Sequence, residues 1–594
     1  MKKFIITLLL IIIAAATYIF YPKTAENAVV INKTGNYINV YIDGKLQKFK
    51  TDSTFQTASV VIFKYNILKA YSFKVVNPIK DRVMIKNDKY YELETLGNIN
   101  LSSKRSYYTI DKNQKLQVAN SNNLVVGKNN VQCFKNSSGK LATFIISPID
   151  YSTIRVAVSS NNFSGIYHSK VTIVNSSPAN FKVVRDNVSL DLPLNSNIVV
   201  QQESSKLNVT INGKVQSYNT RVYISGDSLT VNSISRGDED FTPSYSGTLE
   251  LTATSKGIFL VNEVDIENYL CKVVPSEMPS NGGIEALKAQ AIAARTYAIS
   301  DMLANRFSTY GVHVDDTTQS QVYNNLPTDS LATQAVTQTK GMIMTYKSLP
   351  IDAKYYSTSC GTGAAYSDIW FKTDKTTESK PYLSNNIFIE PSIKLPSTEK
   401  DWLTFYKSNT FKSIDSSSPY FRWSIEMSQN GINKSLDKSL KQLFDKNTGY
   451  VSIYKGNTQL TRFPDLKALT NIKILKRGSS GNVMEISFIF DDVAVNVKED
   501  YYIRSAIRCS QEFTGEASHF ISFIDNKFIL SSYLLSSFFS IEKTADSYVI
   551  YGGGYGHGVG MTQTGAIELS KRGIGYTDIL SKFYSGIKLE NLYK

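Results

Sequence analysis

One carboxylate in this chain is set apart by its neighbours. In Pro275-Ser276-Glu277-Met278-Pro279 two prolines bracket a glutamate. Proline fixes φ and removes an N–H donor, so the spacing predicts a rigid, extended elbow through which no helix continues. Before it, Ile266, Tyr269 and Leu270 share one helical face, with Asp265 placed as a cap. After it, Ile284, Leu287, Ala291, Ala294 and Ala298 recur at helical spacing. Lys288 and Arg295 lie on one line of that second helix, outside the apolar stripe. A carboxylate fixed near two cations can be held in one pose for proton transfer. An isolated glutamate is usually a solvated surface group, so the bracket alone assigns no reaction.

Other reactive types are sparse. Cys133, Cys271, Cys360 and Cys509 are scattered, without CxxC or Cys/His pairs at metal spacing. Cys360 lacks a local signature that would activate a thiol. Near the C-terminus, glycines at 552, 553, 554, 556, 558 and 560 surround His557. They do not fit G-x-G-x-x-G and no GK[ST] follows, so a phosphate cradle is excluded. Such glycines predict a tight turn at His557 and close backbone approach to a ligand. In DAKYYSTSCGTG, residues Tyr356, Ser357, Ser359 and Gly361 offer hydroxyls and backbone N–H groups that suit sugar hydroxyls and acetamido groups.

These residues need a scaffold, and the rest of the chain reads as one. Residues 1–22 form a membrane anchor or export signal. Lys2 and Lys3 precede an apolar run from Phe4 to Tyr21, which predicts an uncleaved anchor with the body outside. Residues 23–200 are short alternating runs, including YINVYI, SVVIF, DRVMI, STIRVAV, KVTIV and NIVV, and read as β-rich modules. From 201 the strands lengthen and lead into the Glu277 segment. Residues 373–515 carry Lys/Ser/Asn-rich stretches and read as an insertion. The fold class is therefore α+β. The formal charge is +14. An exported chain does not meet nucleic acid, so an anionic wall or lipid surface is the expected partner.

The run ENYLCKVVPSEMPSNGGIEALKAQAIAARTYA resembles the signature of the SpoIID/LytB family of stage II sporulation protein D and amidase-enhancer relatives. GHGVGMTQ, with His557, Met561 and Gln563, resembles a second family segment, and VHVDDTTQSQVYNN a third. The resemblance covers 201–594 with gaps and implies a mixed α+β catalytic domain. It implies that Glu277 is the acid of a peptidoglycan lytic transglycosylase. It also implies a substrate-binding set of Lys288, Arg295, Gln321, Tyr323, Tyr356, Ser357, Ser359, Gly556, His557 and Gln563. The implied partners are peptidoglycan glycan strands and other wall hydrolases. Some family members carry Cys and His, with zinc, where this chain has Val314, Gln319 and Ser320. His313 alone makes no site, so no metal or cofactor is expected. The single acid must start protonated, which burial favours and a close Lys288 or Arg295 would oppose.

Overall fold

The computed structural model describes residues 20–237, 241–372 and 376–593. The Phe4–Tyr21 run lies almost wholly outside them. Among the described residues no helix is long and apolar enough to cross a membrane. The chain forms two compact units, 1–276 with 298–327, and 277–297 with 328–594.

The first unit is mainly antiparallel sheet, because its short runs alternate apolar and polar side chains. Lys23–Thr34 is flanked by Tyr37–Ile42 and Val60–Tyr65 in a five-stranded sheet. Residues 79–146 build a second sheet around Gly97–Ile110. A third sheet joins Thr153–Ala157 to Gly257–Asp265, which continues through Ser244–Thr254 to Val222–Val231. Position 200, where the sequence pattern changes, lies inside strand Asn197–Glu203 of this third sheet. A change in strand length is thus no break in hydrogen bonding.

Charged groups are buried within this unit. Arg155 and Glu250 have 1% and 0% of their side chains exposed and pair at 2.8 Å. Arg155 also meets Glu263 at 2.6 Å, and Arg82 meets the same carboxylate at 2.6 Å. Arg221 bonds Glu250 and reaches Glu92 at 2.7 Å. Each of these charges has an opposite partner, which offsets its desolvation.

Helix α1 (Ile266–Glu277) follows the Gly257–Asp265 strand. The Asp265 Oδ1 accepts the N–H groups of Glu267 at 2.9 Å and Asn268 at 3.0 Å, the expected cap. The expected break at Pro275 does not occur: α1 runs through it and ends at Glu277. Pro275 has no N–H for the Cys271 carbonyl four residues earlier, so the helix carries it at the loss of that one bond. Ser276 Oγ donates to the Lys272 carbonyl at 2.7 Å within that turn. The extended residue is instead Pro279, with φ −60° and ψ 135°. Helix α2 (Ile284–Ala304) comes next.

In the second unit, helix α3 (Ser330–Gln338) precedes strand Met342–Tyr346. Trp423–Ser428 is the middle strand of a five-stranded sheet, with Ser547–Gly552 on one side and Phe520–Ser522 on the other. Helix α4 (Gln429–Lys446) buries Ile432, Leu436, Leu440 and Leu443, an i, i+4 stripe. These join Trp423 and the Val483–Phe490 strand in one apolar core. The SLDKSLKQLF helix, the NVMEISFIF strand and the packed Trp423 all form as their patterns predict. Helix α5 (Gln563–Lys571) leaves the glycine run.

Candidate active site

Two segments of the second unit lie backbone against backbone. Tyr355–Tyr356 pairs in parallel with Met561–Thr562. Tyr555 N–H donates to the Thr358 carbonyl at 2.8 Å, and Thr564 N–H to the Ser357 carbonyl at 2.9 Å. This contact explains the glycines. Gly554, Gly556, Gly558 and Gly560 all have positive φ, between 77° and 106°. A Cβ on Gly556 would lie 2.9 Å from the Tyr356 Cβ, and one on Gly560 would fall on the Lys354 carbonyl oxygen. The close approach that the glycines permit is therefore to the chain's own 354–360 segment. Gly560→Ala combines positive-φ strain with a backbone clash. It should lower stability by about 2 to 4 kcal/mol, read as a fall in thermal midpoint. An unchanged midpoint would contradict this packing.

The glycine segment hands its order to Glu277. Thr562 Oγ1 caps α5 by accepting Gly565 N–H at 3.4 Å. The next residue, Gln563, donates from Nε2 to the main-chain carbonyl of Glu277 at 3.0 Å and lies 3.5 Å from the Gln290 Oε1. That carbonyl ends a helix, where no intrahelical donor remains, so the amide supplies one. Glu277 itself is half-buried. Beneath the loop sits Asp415, fully buried. It accepts from Ser359 Oγ and, at 2.5 Å, from Thr562 Oγ1. Desolvation pushes its carboxyl up to about 6, against the pull of those hydroxyls. Asp415 thus ties the Ser359 loop to the residue before Gln563. In the sequence it is one acid in a serine-rich stretch, and nothing there marks it out.

His557 is held by backbone. Its Nδ1 accepts Val559 N–H at 3.1 Å, and the ring also bonds the Tyr355 main chain. Desolvation, then Lys354 and Arg504, pushes its imidazole down to about 3, so the ring is neutral. It packs 5.7 Å from the Tyr356 ring and 5.0 Å from Trp370. Ser357 is half-buried, with its Oγ 3.2 Å from that of Thr358.

The remaining expected site residues have structural partners. Lys288 pairs with Glu285 at 2.7 Å, and Glu285 also accepts Tyr576 N–H at 2.9 Å. Arg295 is fully buried and donates to the Met342 carbonyl at 3.1 Å and the Val336 carbonyl at 3.4 Å, fixing the end of α3. Gln321 and Tyr323 belong to the first unit. There Gln321 accepts Tyr269 OH at 3.1 Å, and Tyr323 OH donates to Asn262 at 2.9 Å. Asp316, also in that unit, accepts from Ser159 N–H and from Arg236, both at 2.9 Å. Both ring nitrogens of His313 bond backbone, that of Arg155 at 3.1 Å and that of Val126 at 3.0 Å. Among the described residues no group of three His, Cys, Asp or Glu side chains is arranged to hold a metal ion.

Comparison with known proteins agrees with the motifs. Residues 254–346 match the SpoIID model, described as stage II sporulation protein, and residues 364–560 match a domain of unknown function, DUF8618. The amidase enhancer of Bacillus subtilis (strain 168) is 30% identical over 328 residues, 53% of this chain and 39% of that protein. The chain thus spans well under half of that relative. An uncharacterized protein of Brachyspira hyodysenteriae is 27% identical over 62% of this chain and 76% of its own. Stage II sporulation protein D of Bacillus amyloliquefaciens is 27% identical over 55% of this chain and 75% of its own. The Glu277 segment thus lies inside a SpoIID domain match, and the relatives of this chain include proteins named amidase enhancer and stage II sporulation protein D.

Proposed function

We propose that this chain is an extracytoplasmic enzyme that cuts peptidoglycan glycan strands between N-acetylmuramic acid and N-acetylglucosamine by lytic transglycosylation. One observation carries the reading. The acid of the first motif, Glu277, has its main chain held by Gln563 of the second motif, 286 residues away. Two sequence-distant motifs thus meet at the main chain of one residue, and fixing the backbone that bears a carboxyl group suits a positioned general acid.

A hydrolase that uses water commonly needs two carboxylates, one on each side of the bond. A lytic transglycosylase needs one. In the proposed reaction protonated Glu277 gives its proton to the leaving glycosidic oxygen as that bond breaks. The resulting carboxylate takes the proton from the muramic 6-hydroxyl as its oxygen closes on C1. The acid is regenerated and a 1,6-anhydro sugar is released. The Tyr356–Ser357 segment pairs with Met561–Thr562, next to Gln563, and in this reading it offers hydroxyls to the strand. The +14 charge suits an anionic wall, and the apolar N-terminus suits attachment at the membrane.

A second reading is a wall-binding enhancer of a separate amidase, favoured by the relative that bears that name. It needs no proton donor. Purified protein incubated with peptide-free glycan strands separates the two. Mass spectrometry should find products ending in 1,6-anhydromuramic acid. Reducing ends alone would mean hydrolysis, and intact strands would favour the enhancer.

A further inference from the structure

The chain has three tryptophans, and they differ in setting. Trp423 is 0% exposed and donates its Nε1–H to the Gly554 carbonyl at 2.9 Å, while Trp402 is 4% exposed. Both are core residues. Trp370 is half-buried. It follows the short helix Tyr366–Ile369, and its N–H donates to the Tyr366 carbonyl at 3.1 Å.

The Trp370 ring is braced from several sides. The Tyr366 ring lies 4.8 Å from it and the His557 ring 5.0 Å. Lys354 Nζ stands 5.5 Å from its centre and 4.4 Å from that of Tyr297. Lys380 Nζ lies 3.9 Å over the Tyr366 ring. Asp352 pairs with both lysines, at 3.1 Å and 2.6 Å, and so fixes them. The Trp370 indole is oriented by neighbours and still partly open, beside the histidine of the glycine segment whose Gln563 holds Glu277.

We propose that Trp370, with Tyr366 beside it, is a carbohydrate-stacking subsite that takes the C–H face of a pyranose ring of the glycan strand. The inference rests on the glycan-cleaving reading above. A flat ring fixed in advance loses little conformational freedom on binding, and its apolar face matches the apolar face of a sugar. Lys354 and Lys380 share a single carboxylate, Asp352. That edge is therefore positive and favours a sugar that bears a carboxylate.

The test uses full-length protein carrying Glu277→Gln, so that strands bind without being cut, and peptide-free peptidoglycan glycan strands as the probe. Tryptophan emission should change saturably as strands are added, because the other two indoles are covered. Adding Trp370→Ala should abolish the change and weaken co-sedimentation with insoluble strands about tenfold. Trp370→Phe should lose the emission change but keep affinity within about threefold, which shows that a fold defect is not the cause. Unchanged affinity in Trp370→Ala, with cleavage unchanged when Glu277 is restored, overturns the subsite and leaves the enzyme reading standing. If Glu277→Gln protein with Trp370 intact binds no strands and the wild type cuts none, both fall together.

Discussion

Replacing Glu277 with glutamine should remove nearly all strand cleavage, a loss of roughly 10²–10⁴-fold. Glutamine keeps the size of the side chain but cannot deliver a proton. Its main-chain carbonyl accepts from Gln563, and that contact survives the change. The variant should therefore fold with a wild-type thermal midpoint and still bind strands. Release of 1,6-anhydro ends, followed by mass spectrometry over time, gives the rate. Cleavage at the wild-type rate would remove Glu277 from the mechanism. If the protein instead acts by stimulating an amidase, the variant should stimulate it as well as the wild type does.

Glu250→Gln should be the most destabilising conservative change in the first unit. Glu250 is fully buried between two guanidinium groups, Arg155 at 2.8 Å and Arg221. A neutral amide leaves both cations under-compensated in the interior. Removing one partner of a buried ion pair costs roughly 3–5 kcal/mol, against a total of about 5–15 kcal/mol for a typical domain. Hydrogen exchange on strands Val222–Val231 and Ser244–Thr254 should report the loss within this unit. Burial alone would push the Glu250 carboxyl up, but Arg155 and Arg221 outweigh it and hold the group at about 2, below its ordinary 4.5. A depressed carboxyl stabilises the fold fully above 4.5, and that contribution is lost as the pH falls towards 2. The wild type should thus lose stability over that window, and Glu250→Gln should lose less across it. Equal midpoints at neutral pH would refute the role of the pair.

The elements were legible in the sequence where local pattern decides structure. Alternation in YINVYI or KVTIV forces a strand, since only a period of two buries one face. Asp265 caps α1 because its side chain reaches the first free N–H groups without help from elsewhere. The Glu277 and GHGVGM segments were readable as motifs through their resemblance to a known family. Pro275 misled, because the loss of one N–H donor does not by itself end a helix, and α1 continues through it to Glu277.

What the sequence by itself determined, then, is the elements and, through the family resemblance, the candidate acid. Tertiary structure decided what surrounds that acid. Lys288 and Arg295 lie on the expected helix line, yet Lys288 pairs with Glu285, and Arg295 binds the Val336 carbonyl of α3 and the Met342 carbonyl of the next strand. The glycine run was readable as close approach, but only the folded chain shows that what approaches is its own 354–360 backbone. Asp415 carries no local signal at all. Its place under Ser359 and Thr562 joins residues 56 and 147 positions away, and such long-range bonds form only when distant segments are packed and water is excluded.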